Sequence, residues 1–272
     1  MSDEAILASW VENPYYQHLT GETFFQHRLP IDPSSLTRWR KRIGEEGVEW
    51  LLTQSIEAGR KSGAINESSV KRVAVNTTVM EKTIAYPTDA RLYERARAQL
   101  VVLAQEARVD LRQTYPRLAP RLALQAGRYA HAKQFGRMRN ALKRLKGYTD
   151  RVMRDLRRHL GELPAGALRE RVLDKLALVS HLLHQAPKGG DKIYALHAPE
   201  VDCILKGKAR VRHKFGCKVS VATTLDEGFI VGIRSFPGNP YDGHTLAPTI
   251  EQVEILTDQR PLCSALRLRP QQ

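Results

Sequence analysis

Residues 73–79, VAVNTTV, decide how this chain reads. The run is short and β-branched and ends in a polar cluster, the pattern of a buried strand. Lys71 and Arg72 lead into it, and beyond Pro87 either Thr88 or Asp89 can cap a helix. That helix carries Leu92, Ala96, Leu100, Leu103 and Ala107 on one stripe. Pro116 and Pro120 interrupt the pattern, and a long basic helix or helix pair is expected from about Arg121 to Leu160. Pro164-Ala165 opens another helix through Gln185, with Leu168, Val172, Leu176, Val179 and Leu183 on its apolar face. Residues 90–185 therefore read as almost purely helical.

From Lys192 the period turns from helical to alternating. HKFGCKVSVATT (213–224) and FIVGIRSFPG (229–238) form two strands around a hairpin loop at 225–228. Residues 239–243 form a turn, and Thr245 caps a helix through about Thr257. The end, PLCSALRLRPQQ (261–272), has no assignable period. At the other end, Ser2 or Asp3 caps a helix to about Glu12, which Asn13-Pro14 stops. Ser34 or Ser35 then caps a helix with Leu36, Trp39 and Ile43 at helical spacing, and Trp39 reads as a packing residue. Gly44 and Gly47 mark a turn, and a second helix turns Val48, Leu51, Leu52 and Ile56 inward, stopping near Gly59. The outline is that of a helix-turn-helix.

Charge narrows the function. Between Arg112 and Arg158 stand fourteen Lys/Arg and two acids, Asp150 and Asp155, a net charge of +12 in a protein whose total is +14. A basic block this concentrated favours a polyanionic partner, nucleic acid first. The three cysteines, Cys203, Cys217 and Cys263, lie far apart without a CxxC pair, so neither a disulfide framework nor a zinc site is expected, and a reducing cytoplasm is. No apolar run approaches the ~18 residues of a membrane span. The first ten residues lack a basic region followed by an apolar one, so no export signal is expected.

GETFFQHRLPIDPSSLTRWRKRIG (21–44), VAVNTTVMEKTIAYPTDARLY (73–93), GRYAHAKQF (127–135) and PGNPYDGHTL (237–246) are long, ordered and collinear. Together they resemble the insertion-sequence transposases of the family named after insertion sequence five, over about residues 2–261. The resemblance implies an α+β fold: a ribonuclease-H-like core, here incomplete, with a large basic helical insertion and an N-terminal helical DNA-binding segment. It divides the chain into residues 1–65, a partial core at 70–261 with the insertion at 90–186, and an aberrant tail at 262–272. Its implied function is transposition of a bacterial insertion sequence by a cytoplasmic, nucleoid-associated protein. The partners are double-stranded DNA at terminal inverted repeats and a second copy or a full-length transposase. In intact relatives three carboxylates hold two Mg²⁺ ions, which suit hard anionic ligands and stabilise attacking and leaving oxygens.

The sequence departs from that pattern. Asn76 stands where the resemblance places the first catalytic Asp, and a neutral amide binds Mg²⁺ far more weakly than a carboxylate. The second acid belongs to a strand that Leu262–Gln272 replaces, the third is absent, and relatives begin with an additional upstream segment. A decayed or frameshifted gene is the expectation, with no metal bound and no strand cleavage. Without that strand Val73–Val79 is expected to present an open apolar edge, and the product to be poorly soluble. A non-catalytic fragment that competes with a full-length transposase is the alternative, and a helical scaffold for RNA or protein a third.

Other acids read blandly. Asp242, beside His244, suits an Asx-type turn, Asp89 a helix start, and Glu251 and Glu254 a solvated helix face. His181 and His184 form a lone HxxH. For DNA contact the candidates are Arg38, Arg40, Lys41 and Arg42 in the first hairpin, and Arg128, Lys133, Arg137, Arg139, Lys143, Arg144 and Lys146 in the insertion. Contacts from these would position a duplex without specifying its sequence.

Overall fold

A computed structural model of the chain describes residues 3–186, 189–205 and 213–266, and for Lys41 and residues 263–266 it describes the backbone alone. The fold is α+β. In chain order the elements are α1 (Asp3–Glu12), α2 (Pro14–Leu19), α3 (Pro33–Lys61), α4 (Glu67–Val70), β1 (Arg72–Glu81), α5 (Asp89–Glu106), α6 (Leu118–His131), α7 (Phe135–Arg158), a 3-10 turn (His159–Glu162), α8 (Ala167–His184), β2 (Asp202–Leu205), β3 (His213–Thr224), β4 (Ile230–Phe236), α9 (Asp242–Thr257) and β5 (Cys263–Leu266). Two compact units share them. One comprises Met1–Val75, Val221–Ile233 and Pro248–Gln272, the other Asn76–Ser220 and Arg234–Ala247.

The strands form one sheet in the order β2-β3-β1-β5, with β4 also on β3. The start of β3 pairs antiparallel with β2, Asp202 opposite Gly216 and Leu205 opposite His213. Its other end enters the hairpin to β4, where the Thr224 amide donates to the Phe229 carbonyl at 2.8 Å. β1 takes the opposite side of β3, its Lys82 amide donating to the Phe215 carbonyl at 3.0 Å. Gly216 makes this approach possible. A Cβ there would stand 2.1 Å from the Met80 carbonyl oxygen, closer than any side chain tolerates.

The β1 edge expected to stand open is covered by β5 along Arg72–Val75. Residues 263–266 pair parallel with β1, from Arg72 opposite Cys263 to Val75 opposite Leu266, and the Leu262 amide donates to the Lys71 carbonyl at 3.0 Å. The unpaired backbone groups of a half-buried strand supply the demand that this short segment meets. Residues 267–272 lie outside the described part.

The second unit is built on α5–α8. Thr88, not Asp89, caps α5, its hydroxyl accepting from the Arg91 amide. The stripe falls as expected: Leu92, Ala96, Leu100 and Leu103 are buried, as are Val172, Leu176, Val179 and Leu183 on α8. α6 and α7 form an antiparallel hairpin around Lys133, which turns the chain with φ 56°. α7 buries Ala141, Leu145, Val152 and Leu156, each large aliphatic contributing about 1.5–3 kcal/mol. The buried Thr149 hydroxyl donates to the Tyr93 carbonyl at 3.0 Å and locks α7 onto α5.

In the first unit, Asp32 rather than Ser34 or Ser35 caps α3, accepting from the Ser34 amide. Gly44, at φ 60° and ψ −163°, breaks α3 into two helical stretches, matching the expected turn. The inward face beyond it is shorter than the spacing implied. Ile56 is buried, but Val48 and Leu51 are exposed, and so is Trp39. Near its end α3 packs closely: a Cβ on Gly59 would stand 2.8 Å from Phe229. The Arg60 guanidinium there donates to the Thr257 carbonyl at 2.6 Å. α2, α4 and β2 lie in segments without a legible period. α9 begins at Asp242, three residues before the expected cap. Thr245 therefore sits inside its first turn, its hydroxyl donating to the Asp242 carbonyl at 2.7 Å.

Candidate nucleic-acid interface

Why α7 carries so much charge follows from its pattern. Its apolar positions fill one arc of the helix, which leaves the rest of the circumference to solvent, and Lys and Arg occupy that rest. Arg137, Arg144, Arg151 and Arg158 recur every seven residues, all exposed, in one row roughly 31 Å long at 1.5 Å per residue. Arg139 and Lys146 lie on the other flank and Lys143 between the two. Arg128 is exposed on the last turn of α6, and Lys133 is exposed at the turn into α7. Long cationic side chains on a helix cover their own stems and hold their heads in water, poised for phosphate oxygens.

The charge is largely unneutralised. Among the described residues none of Arg128, Lys133, Arg139, Lys143, Arg144 and Lys146 forms an ion pair. Arg137 reaches only the neutral Gln134 side chain, at 3.1 Å. All seven insertion candidates thus come together on one helical hairpin of the second unit.

The four candidates of the first unit fare differently. Arg38 and Arg42 are exposed on α3, and Arg38 donates to the Ser34 hydroxyl one turn back. Lys41 lies between them, its side chain outside the described part. Arg40 is committed elsewhere: its guanidinium pairs with Asp3 on α1, and the Thr37 hydroxyl also donates to Asp3 at 2.7 Å. The Arg40 hydrogen bond, and then that of Thr37, hold the Asp3 carboxyl below its usual range. A depressed carboxylate pKa means this tie between α1 and α3 is fully present above the ordinary Asp range and is lost as pH falls below that range, through the depressed value. Arg40 therefore ties α1 to α3 through Asp3.

Asn76 is exposed in the middle of β1. Among the described residues no group of three or more His, Cys, Asp or Glu is placed to hold a metal ion. β5, on the side of β1 away from β3, contains no acid. Asp242 is paired with the Lys218 ammonium, which also donates to the Pro240 carbonyl. The two HxxH imidazoles both lie in the last turn of α8. His181 approaches the Asp191 carbonyl at 3.1 Å and carboxylate at 3.3 Å, and His184 the Ser180 carbonyl at 2.7 Å. Glu254 pairs with Arg260 at 3.7 Å.

Spacing did not single out one further group. Arg112, in the loop between α5 and α6, meets Arg151, Arg154 and Arg158 of α7 around a pocket of about 420 Å³. The seven-residue recurrence on α7 was readable in the sequence, whereas the arrival of Arg112 depends on how the loop folds back.

No family model matches the chain, and no solved structure does. It is similar to an uncharacterized protein, ORF8 of the nfe locus of Rhizobium meliloti, with 53% identity over 135 residues. Those residues are 50% of this chain and 65% of that protein's length.

Proposed function

We propose that the chain is a transposase-type protein that binds the ends of a bacterial insertion sequence and does not cut them. The observation that carries the binding half is the α6–α7 hairpin, where Arg128, Lys133, Arg139, Lys143, Arg144 and Lys146 form no ion pair among the described residues. A long surface of largely unneutralised cations gains most from a polyanion whose charges are themselves regularly spaced, and double-stranded DNA carries one charge per roughly 1.7 Å of axis.

Topology supports the ribonuclease-H-like half of the proposal. The order β4-β3-β1-β5, β5 parallel to β1, α9 between β4 and β5, and α5–α8 inserted after β1 are what such a core with a helical insertion requires. The donor set does not suit the paired Mg²⁺ ions of that family. The first position offers a neutral, exposed amide, and the strand expected to bring the second acid brings Cys, Ser, Ala and Leu. No chemical step is therefore assigned to a metal. These two substitutions also favour the competitor alternative, because a protein that occupies element ends without cutting blocks an active relative.

A gel shift with a duplex carrying the element's terminal repeat tests the proposal. Retardation of the duplex at submicromolar protein in 50 mM salt is the expected result. An unshifted duplex at that salt would favour the scaffold reading and remove the support for DNA binding.

A further inference from the structure

We propose that Arg112, Arg151, Arg154 and Arg158, at the C-terminal end of the α7 row, form a pocket that takes a phosphate group. Three of these arginines sit at positions i, i+3 and i+7 of α7 and so share one face. The fourth is brought in by its own backbone: the Arg112 amide donates to Asp155 Oδ2 at 2.8 Å. Asp155 is buried and its other oxygen accepts from Arg158 at 3.4 Å. One carboxylate thus holds the Arg112 backbone against the helix and orients the Arg158 guanidinium, acting as a positioning residue. Arg97, itself buried, fixes the same loop by donating to the Thr114 carbonyl at 2.6 Å.

The opposite wall is rigid. Tyr115, at φ 52°, stacks on Tyr148 with ring centres 4.2 Å apart and planes at 4°, and its hydroxyl meets the Arg151 guanidinium at 3.2 Å. Asp150 pairs with Arg154 at 3.0 Å from the exposed side. Four guanidiniums against two carboxylates leave the cluster net positive. The guanidiniums retain free N–H donors, which match phosphate oxygens two at a time. A concave, preorganised set of planar cations selects a phosphate over a carboxylate-bearing partner, since three oxygens can each meet a donor. At about 420 Å³ the pocket has room for an esterified phosphate or a pyrophosphate.

The phosphate could belong to a nucleic-acid backbone or to a free phosphate compound. The first source rests on the DNA proposal above; the pocket itself does not. Titration calorimetry of the full chain with inorganic pyrophosphate tests the pocket. The double variant Arg151→Ala/Arg158→Ala is expected to weaken pyrophosphate binding by about tenfold or more. Lys143→Ala/Lys146→Ala, which removes equal charge outside the pocket, is expected to leave it unchanged. Arg151→Lys/Arg158→Lys keeps the charge and the side-chain stems, and is expected to bind pyrophosphate more weakly than wild type while melting at the same temperature. Equal losses from the arginine and lysine pairs, or no pyrophosphate binding by wild type, would overturn the pocket. Displacement of pyrophosphate by duplex assigns the phosphate to nucleic acid, and duplex binding without displacement assigns it to a free compound. A chain that binds pyrophosphate but no duplex keeps the pocket and sinks the DNA proposal.

Discussion

Incubated with terminal-repeat DNA and Mg²⁺ or Mn²⁺, the purified protein is expected to leave every phosphodiester bond intact. The reason is electrostatic. Two divalent ions at close range repel strongly, and only several anionic oxygens held together offset that repulsion. In the proposed transposase reading the first position is the amide of Asn76; β5 carries no acid, and Asp242 is already paired with Lys218. Asn76→Asp restores one carboxylate and no more. The variant is therefore also expected to be inactive, where recovery of even a single metal ligand set would raise cleavage by orders of magnitude over background. Nicks that require Mg²⁺ in wild type and disappear in Asn76→Ala would show that Asn76 belongs to a working metal site after all.

Gly216→Ala is expected to destabilise the protein by about 3 kcal/mol or more, beyond the usual range for overpacking. The new methyl would press on three backbone atoms: the Met80 oxygen at 2.1 Å, the Met80 carbonyl carbon at 2.8 Å and the Glu81 Cα at 2.9 Å. None of these can swing aside as a flexible side chain does. Relief requires β1 and β3 to separate where the Lys82 amide meets the Phe215 carbonyl. Thermal unfolding measures the effect, with a fall of roughly 6–12 °C expected for a domain of this size. An unchanged melting temperature would mean that the two strands do not approach as described.

Local pattern made much of this fold legible. The β-branched run of β1, the 92/96/100/103 stripe of α5 and the β3–β4 hairpin are each specified by neighbours in sequence, and each stands where expected. What escaped depends on partners distant in the chain. β5 has no strand signature of its own and exists because β1 offers it an edge. Arg40 looked like one more free cation in RWRKR, but Asp3, far away in sequence, claims it. Val48 and Leu51 kept a helical period without a core beneath them, so period alone overstated their burial. The same limit applies to the basic surface. Spacing along α7 announced a cationic row, yet the pocket at its end needs Arg112 to be carried back by Asp155.

Binding of DNA phosphates by the α6–α7 cations would make duplex affinity steeply dependent on salt. If about six to ten phosphates are engaged, affinity should fall about 10³–10⁵-fold between 50 and 200 mM salt. Lys143→Ala/Arg144→Ala/Lys146→Ala should then reduce the slope of log affinity against log salt by roughly three, at about 0.9 per lost contact. An affinity that stays level across that range, or a slope the triple variant leaves untouched, would show that these cations do not engage the phosphates.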